Sequence, residues 1–275
     1  MTDHDCVEFL HTVLPRLGLR WPGFRKVRGL VCKRLNRRLR ELNVPDLRAY
    51  RAYLESHPDE WPVLDGCCRI PISRFYRDRG VFEHLEREVL PALAEDAAVR
   101  ERRTLACWSA CCASGEEPYT LAVLWRLRLR RRFPQVRLRV VATDIDTHLL
   151  ERARTGCYRA SSLKALPPEL LAGAFARRAA QLCVRDEFRT IEFLHQDIRQ
   201  ATPEGEFDLV FCRNAVLTYF APALQRPVLE RVVARLRPGG ALVIGIHEAL
   251  PEGVTGLAPW PGARAIYRKF EPRAA

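Results

Sequence analysis

Three acidic residues each follow a short apolar segment, and their surroundings suggest what each could hold. Glu117 closes off the run Trp108-Ser109-Ala110-Cys111-Cys112-Ala113-Ser114-Gly115-Glu116-Glu117-Pro118-Tyr119, whose small side chains let a ligand approach the backbone before a helix begins. The run lacks the G-x-G-x-x-G spacing of a dinucleotide loop, and a phosphate placed there would meet Glu116 and Glu117. A cationic group fits better. Capping is the competing reading, since Pro118 suits a first helical turn and two acids there complement the helix dipole. Asp144, in Ala142-Thr143-Asp144-Ile145-Asp146-Thr147, stands where nucleotide-binding sheets hold a ribose diol, whereas Asp146 and Thr147 suit a helix cap. Asp197, in His195-Gln196-Asp197-Ile198, is placed to accept from an adenine amino group.

Such acids converge only if the segments before them lie side by side. The spacing predicts strands over 104–108, 136–143, 190–194, 207–212 and 241–246, and helices over 117–129, 147–153 and 224–236. Arg237-Pro238-Gly239-Gly240 reads as a glycine stop between the last helix and the last strand. This alternation predicts a mostly parallel sheet covered on both faces, with ligands at the carboxyl ends of its strands near a topological switch point. Ahead of it, residues 5–56 are helical in pattern, with Val27, Leu30, Val31, Leu35, Leu39 and Leu42 on one face. The opposite face carries Arg25, Lys26, Arg28, Lys33, Arg34, Arg37, Arg38 and Arg40 with only Glu41 nearby. That density marks a candidate docking surface for an acidic partner, against the alternative of a solvated helix face.

Composition sets the outer bounds. With 275 residues, 48% of them hydrophobic, the chain can build a real core, and no apolar run approaches the length of a membrane span. Lys+Arg of 45 against Asp+Glu of 33 gives a net charge of +12, which favours anionic partners. Met1-Thr2-Asp3-His4-Asp5-Cys6 has acids where a signal peptide needs a basic start. The ten cysteines show neither zinc spacing nor a secreted disulfide framework, so reduced thiols in a cytoplasm and no metal are expected. The Arg-rich helix lacks the interleaved aromatics of a single-strand nucleic-acid platform, so nucleic acid is not the expected partner.

Over nearly its whole length the sequence resembles the chemotaxis-receptor glutamate methyltransferases of the CheR type. The resemblance rests on Phe75-Tyr76-Arg77-Asp78, Trp108-Ser109-Ala110 through Gly115-Glu116-Glu117-Pro118-Tyr119, Asp144-Ile145-Asp146-Thr147, Phe207-Asp208 through Arg213-Asn214, and Arg237-Pro238-Gly239-Gly240, in that order. It implies a doubly wound, Rossmann-like α/β domain that binds S-adenosylmethionine, over residues 71–275, after a small all-α domain over 1–70. A small β-subdomain is expected at about 176–190. Cofactor contacts implied by the family fall on Ser73, Arg77, Glu117, Asp144, Asp197, Ile198, Cys212 and Arg213, and acceptor positioning on Arg77 and Tyr219. Methyl transfer to a carboxylate needs alignment more than a general base, because the acceptor is already ionised near neutral pH. An Arg fork and a Tyr hydroxyl are suited to that alignment.

The sequence departs from the family in four places. Pro71-Ile72-Ser73 replaces the usual Asn-x-Thr, one residue is added between Asn214 and Tyr219, Gly245-Ile246-His247-Glu248 replaces G-H-S-E, and the insertion has no Gly-rich loop. The last feature argues against the subgroup that grips a receptor's tail peptide. The reading is therefore methylation of glutamates on a cytoplasmic helical receptor, docked on residues 25–40. The alternatives are a same-fold methyltransferase with another acceptor, and a non-catalytic cofactor-binding regulator or nucleic-acid binder.

Overall fold

A computed structural model describes residues 2–270. The chain divides into two compact units, Met1–Pro71 with Val216–Gln225, and Ile72–Ala215 with Arg226–Ala275.

The first unit is helical, built from Asp3–Val13, Trp21–Phe24, Arg28–Glu41, Leu47–Ser56 and Glu60–Cys68, joined by the one-turn helix Val216–Tyr219. Thr2 and Asp5 cap the first helix reciprocally, and Asp46 caps Leu47–Ser56 through the Ala49 N–H. Val31, Leu35 and Leu39 form the buried stripe of Arg28–Glu41. Leu30 is exposed, a correction to the expected apolar face: a helix turns about 100° per residue, which carries it off the stripe centred on Leu35. The basic face is also less open than expected. Arg28 pairs with Asp3, Arg34 donates to the carbonyls of Cys67 and Arg69, and Arg38 makes a two-point contact with buried Glu60 at 2.8 and 2.7 Å. Lys33, Arg37 and Arg40 remain exposed at steps of four and three, on one helix face.

Two disulfides, Cys6–Cys32 and Cys157–Cys183, overturn the expectation that all thiols are reduced. Each pair is 26 residues apart, a separation carrying no local signal; helix packing brings the first together and strand pairing the second.

The second unit holds strands β1 (Thr104–Ala110), β2 (Arg137–Asp144), β3 (Cys157–Tyr158), β4 (Phe175–Arg178), β5 (Gln181–Val184), β6 (Ile191–His195), β7 (Phe207–Phe211), β8 (Leu236–Val243), β9 (Leu257–Pro259) and β10 (Ile266–Lys269). Seven form one sheet in the order β6-β2-β1-β7-β8-β10-β9, parallel through β8 and antiparallel beyond. The order reverses between β1 and β7, which is the topological switch point. Asp208 on β7 accepts from the Ala106 N–H on β1 at 2.8 Å and pairs with Arg102, fixing the two central strands.

Residues 236–240, expected as helix end and glycine stop, instead open β8. Gly240 is required there because a Cβ would lie 2.9 Å from the Asp208 carbonyl on β7. The small sheet, β3-β5-β4, is antiparallel and starts at Cys157, earlier than the expected insertion, because its first strand is only two residues long and leaves no periodicity to read.

Glu60 also accepts from the Tyr50 hydroxyl at 2.7 Å, so it satisfies two groups at once. Hydrogen bonding to Arg38 holds its carboxyl below the usual range. The pair therefore contributes fully at neutral pH, and the contribution is lost as pH falls through that lowered value. Glu60→Gln should lower the unfolding free energy by about 2–3 kcal/mol, read from urea unfolding at pH 7. The deficit against the native chain should shrink at acid pH, and an unchanged neutral midpoint would refute the assignment.

Candidate active site

The loops after β1, β2, β6 and β7 carry the candidate residues. Register places Ala110 beside Thr143 and Asp144 beside His195, so Glu117, Asp144 and Asp197 follow three neighbouring strands about 5 Å apart. The loops are also bonded together. Asp144 is 9% exposed, accepting from the Ala113 N–H at 2.8 Å and from the Asp146 N–H at 2.9 Å. Asp146 caps the next helix through the Leu149 N–H, as its position suggested.

Gly115 begins the helix Glu116–Leu124 with φ of 88°, and a Cβ there would lie 2.9 Å from the Ala153 Cβ. The two glutamates that follow divide the work. Glu116 is buried and accepts from the Ser114 hydroxyl at 3.0 Å. Glu117 receives the Ser109 hydroxyl at 2.7 Å and Arg213 Nη1 at 3.1 Å. Burial pushes the Glu117 carboxyl above its ordinary value, while Arg213 and Ser109 pull it back.

Arg213 is the hub of this arrangement. Its side chain is 3% exposed, and Nη2 donates to Asp78 at 2.6 Å and to the Arg77 carbonyl at 3.0 Å. It thus joins the end of β7, the start of the β1 helix, and the block Phe75-Tyr76-Arg77-Asp78. Phe75 anchors that block edge-on to Tyr158 and Phe175, and the Tyr76 N–H donates to Thr120. Arg77 donates to the Ile72 carbonyl at 2.9 Å, and pairs with neither Asp78 nor Glu83. Among the described residues, five of the eight non-glycine positions with left-handed backbone lie in these segments: Tyr76, Asp78, Cys111, Ala113 and Asn214.

The other sequence-derived residues fall as follows. Ile198 is buried, and Cys212 is fully buried with its thiol pushed well above the ordinary value by desolvation, so neither offers reactive chemistry. Ser73 is half-buried. Asp197 pairs in two-point fashion with Arg199 at 2.9 and 3.0 Å, a partner the sequence reading had not given it. Tyr219 belongs to the helical unit, where its ring packs edge-on to Phe24 at 5.2 Å and its carbonyl accepts from the Arg20 N–H. His247 is exposed.

Two further residues matter. Glu248 Oε2 accepts from the Asn214 N–H at 2.9 Å and the Gly245 N–H at 2.6 Å, tying the loop after β7 to the end of β8. Gln196 Oε1 is buried without a donor among the described residues, an open acceptor beside Asp197. The segment Gly245-Ile246-His247-Glu248 flagged the first; nothing in the sequence singled out the second.

The donor and acceptor set suits S-adenosylmethionine. Glu117 offers a part-buried carboxylate for an ammonium, Asp144 a carboxylate for a diol, and Gln196 and Asp197 acceptors for an amino group. Glu248→Ala leaves two N–H groups without their acceptor and frees the loop that aims Arg213. It should weaken binding of S-adenosylhomocysteine by about tenfold in calorimetry, from a loss on the order of 1–3 kcal/mol. Unchanged affinity would show that the clamp does not shape the site.

Residues 72–261 match the CheR methyltransferase SAM binding domain, and residues 26–64 match the CheR methyltransferase all-alpha domain. A chemotaxis protein methyltransferase of Salmonella typhimurium is 36% identical over 230 residues, covering 80% of this chain and 76% of that protein. Chemotaxis protein methyltransferase 2 of Pseudomonas aeruginosa is 36% identical over 231 residues, covering 80% and 78%. An uncharacterized 104.1 kDa protein of Rhodobacter capsulatus is 34% identical over 248 residues; the match takes in 90% of this chain but spans only 26% of that protein's length. A solved structure, the N-methyltransferase NodS from Bradyrhizobium japonicum, overlaps weakly, with 17% identity, a TM-score of 0.31, and 56% and 58% of the two chains covered. The chain belongs to the CheR methyltransferase family and is an S-adenosylmethionine-dependent methyltransferase of the chemotaxis type.

Proposed function

We propose that the protein O-methylates glutamate side chains on a helical chemoreceptor, in the cytoplasm. The observation that carries this reading is Glu117, held at the switch point between Ser109 and Arg213 with Asp144 bonded into the same loop. Among the described residues no helix is long and apolar enough to cross a membrane.

S-adenosylmethionine, when bound, supplies a methyl group made electrophilic by its sulfonium. The chain's own residues bind and orient. Glu117 holds the ammonium, Asp144 the ribose, and Gln196 with Asp197 the adenine. Arg77, fixed between the left-handed residues Tyr76 and Asp78, presents a guanidinium fork for an acceptor carboxylate. The family pattern gives Tyr219 the second positioning role. No general base is needed, since the acceptor is ionised at neutral pH.

Lys33, Arg37 and Arg40 supply the docking surface for acidic receptor helices. The hairpin between β4 and β5 turns on Ala179 and Ala180 alone, which supports recognition of the receptor's helical body over capture of a tail peptide. A different acceptor is the second reading, favoured by the packing of the Tyr219 ring against Phe24. Incubation with labelled cofactor and a receptor cytoplasmic domain separates the two: glutamyl esters release methanol in base, whereas transfer to nitrogen or sulfur leaves a stable label.

Two outcomes follow from these assignments. Because the ammonium requires ionised Glu117, affinity for S-adenosylhomocysteine should be full above the raised carboxyl pKa and fall as pH drops through it, beginning at a higher pH than an ordinary glutamate would set. Glu117→Gln should remove this pH dependence and weaken binding by about tenfold to a hundredfold at neutral pH; a pH profile identical to the native one would exclude Glu117 as the ammonium partner. Reversing charge with Lys33→Glu and Arg37→Glu together should raise KM for the receptor severalfold at low salt, with S-adenosylhomocysteine affinity unchanged. Equal KM values would remove that face from the docking surface.

A further inference from the structure

The helix that begins at Glu116 ends in a cluster of cations. Beyond Leu124 it continues as a π-helical turn, Trp125–Leu129, and residues 126–132 include Arg126, Arg128, Arg130, Arg131 and Arg132. The Arg130 N–H donates to the Trp125 carbonyl, the wide bond of such a turn, and this widening brings Arg126 into line with both Arg130 and Arg131. These three arginines and Pro134 line a concavity of about 550 Å³ that opens to solvent.

The charges there are not balanced. Arg128 faces two carboxylates, Glu86 at 3.6 Å and Glu169. Arg126, Arg130 and Arg131 pair with no carboxylate among the described residues. The Arg126 guanidinium lies 5.6 Å over the Phe188 ring, which restricts where it can point. Complementing the helix dipole does not account for the group, since that effect is worth about 0.3–1 kcal/mol and needs a single cation in the last turn. Three like charges around one hollow repel each other until an anion separates them.

We propose that this hollow binds a small molecule carrying two or three linked phosphates. Guanidinium forks meet phosphate oxygens in two-point geometry, and three cations match the charge of a di- or triphosphate. The volume falls within the roughly 300–1,000 Å³ of small-molecule sites, more than one phosphate requires. Linked phosphates are the shared chemistry; the source is either inorganic or nucleosidic. The site is separate from the methyl-transfer residues, and its test reads binding alone, so its failure is distinguishable from failure of the methyltransferase reading.

Calorimetric titration of the full chain without magnesium, at about 0.15 M ionic strength to screen diffuse attraction, compares inorganic tripolyphosphate, ATP and citrate. Saturable binding of tripolyphosphate or ATP is expected, weakened at least tenfold in the Arg130→Gln, Arg131→Gln double variant but not in Lys33→Gln, Arg37→Gln, which removes as much charge elsewhere. ATP binding more tightly would indicate a nucleosidic source, and equal affinities an inorganic one. Arg126→Gln serves should the double variant not fold. Citrate binding as tightly as either phosphate, undiminished binding by the variants, or saturation by duplex DNA without any saturable small phosphate would each overturn the proposal.

Discussion

The active-site end of the sheet unit depends on one buried ion pair network, Arg213 with Glu117 and Asp78. Isolating a cation at 3% exposure is costly, and the cost is offset only when geometry satisfies most of its donors. Here the satisfied donors reach two segments far from each other and from Arg213 in sequence, so the ion pairs make the placement of all three mutually dependent. Removing either acid would strand the guanidinium, which already has Nε without a partner. The same network sets the protonation of Glu117, because Arg213 opposes the desolvation that burial imposes on it.

Much of this was legible because strand ends in a parallel sheet are punctuated by residue type. Small residues after β1, an acid after β2 and an acid after β6 stand out against apolar segments, and the switch point follows from the alternation itself. Pairings were not legible. Asp197 meets Arg199 two residues on, but nothing in the sequence says that its side chain turns back. Glu248 and Asn214 meet only because β7 and β8 are neighbours, and Cys157 meets Cys183 only because β3 pairs with β5. β9 and β10, of three and four residues, passed unnoticed, since strands so short carry at most two full alternations.

The basic composition shows how a sequence pattern overstates a surface. Eight cations across residues 25–40 look like one face, yet Arg28, Arg34 and Arg38 have partners inside their own unit. Arginine permits this because its aliphatic stem packs while its fork reaches carbonyls and carboxylates. Such contacts leave the net +12 unchanged, because that figure already subtracts the acids, but within residues 28–40 they narrow the exposed basic face to Lys33, Arg37 and Arg40.

Backbone strain points the same way as the ion pairs. A non-glycine residue held in the left-handed region costs on the order of 1–3 kcal/mol, and five of them fall in the segments around Arg213. Helix and sheet cannot absorb such residues, so they persist where surrounding contacts leave no alternative. Phe75 wedged against Tyr158 and Phe175, Asp144 gripping the Ala113 N–H, and Glu248 gripping the Asn214 N–H each remove one. Tyr76 and Asp78 bracket Arg77, Cys111 and Ala113 shape the loop before Glu117, and Asn214 follows Arg213. The strained positions thus flank the residues whose aim matters for chemistry, and the contacts that enforce the strain are what keep that aim fixed.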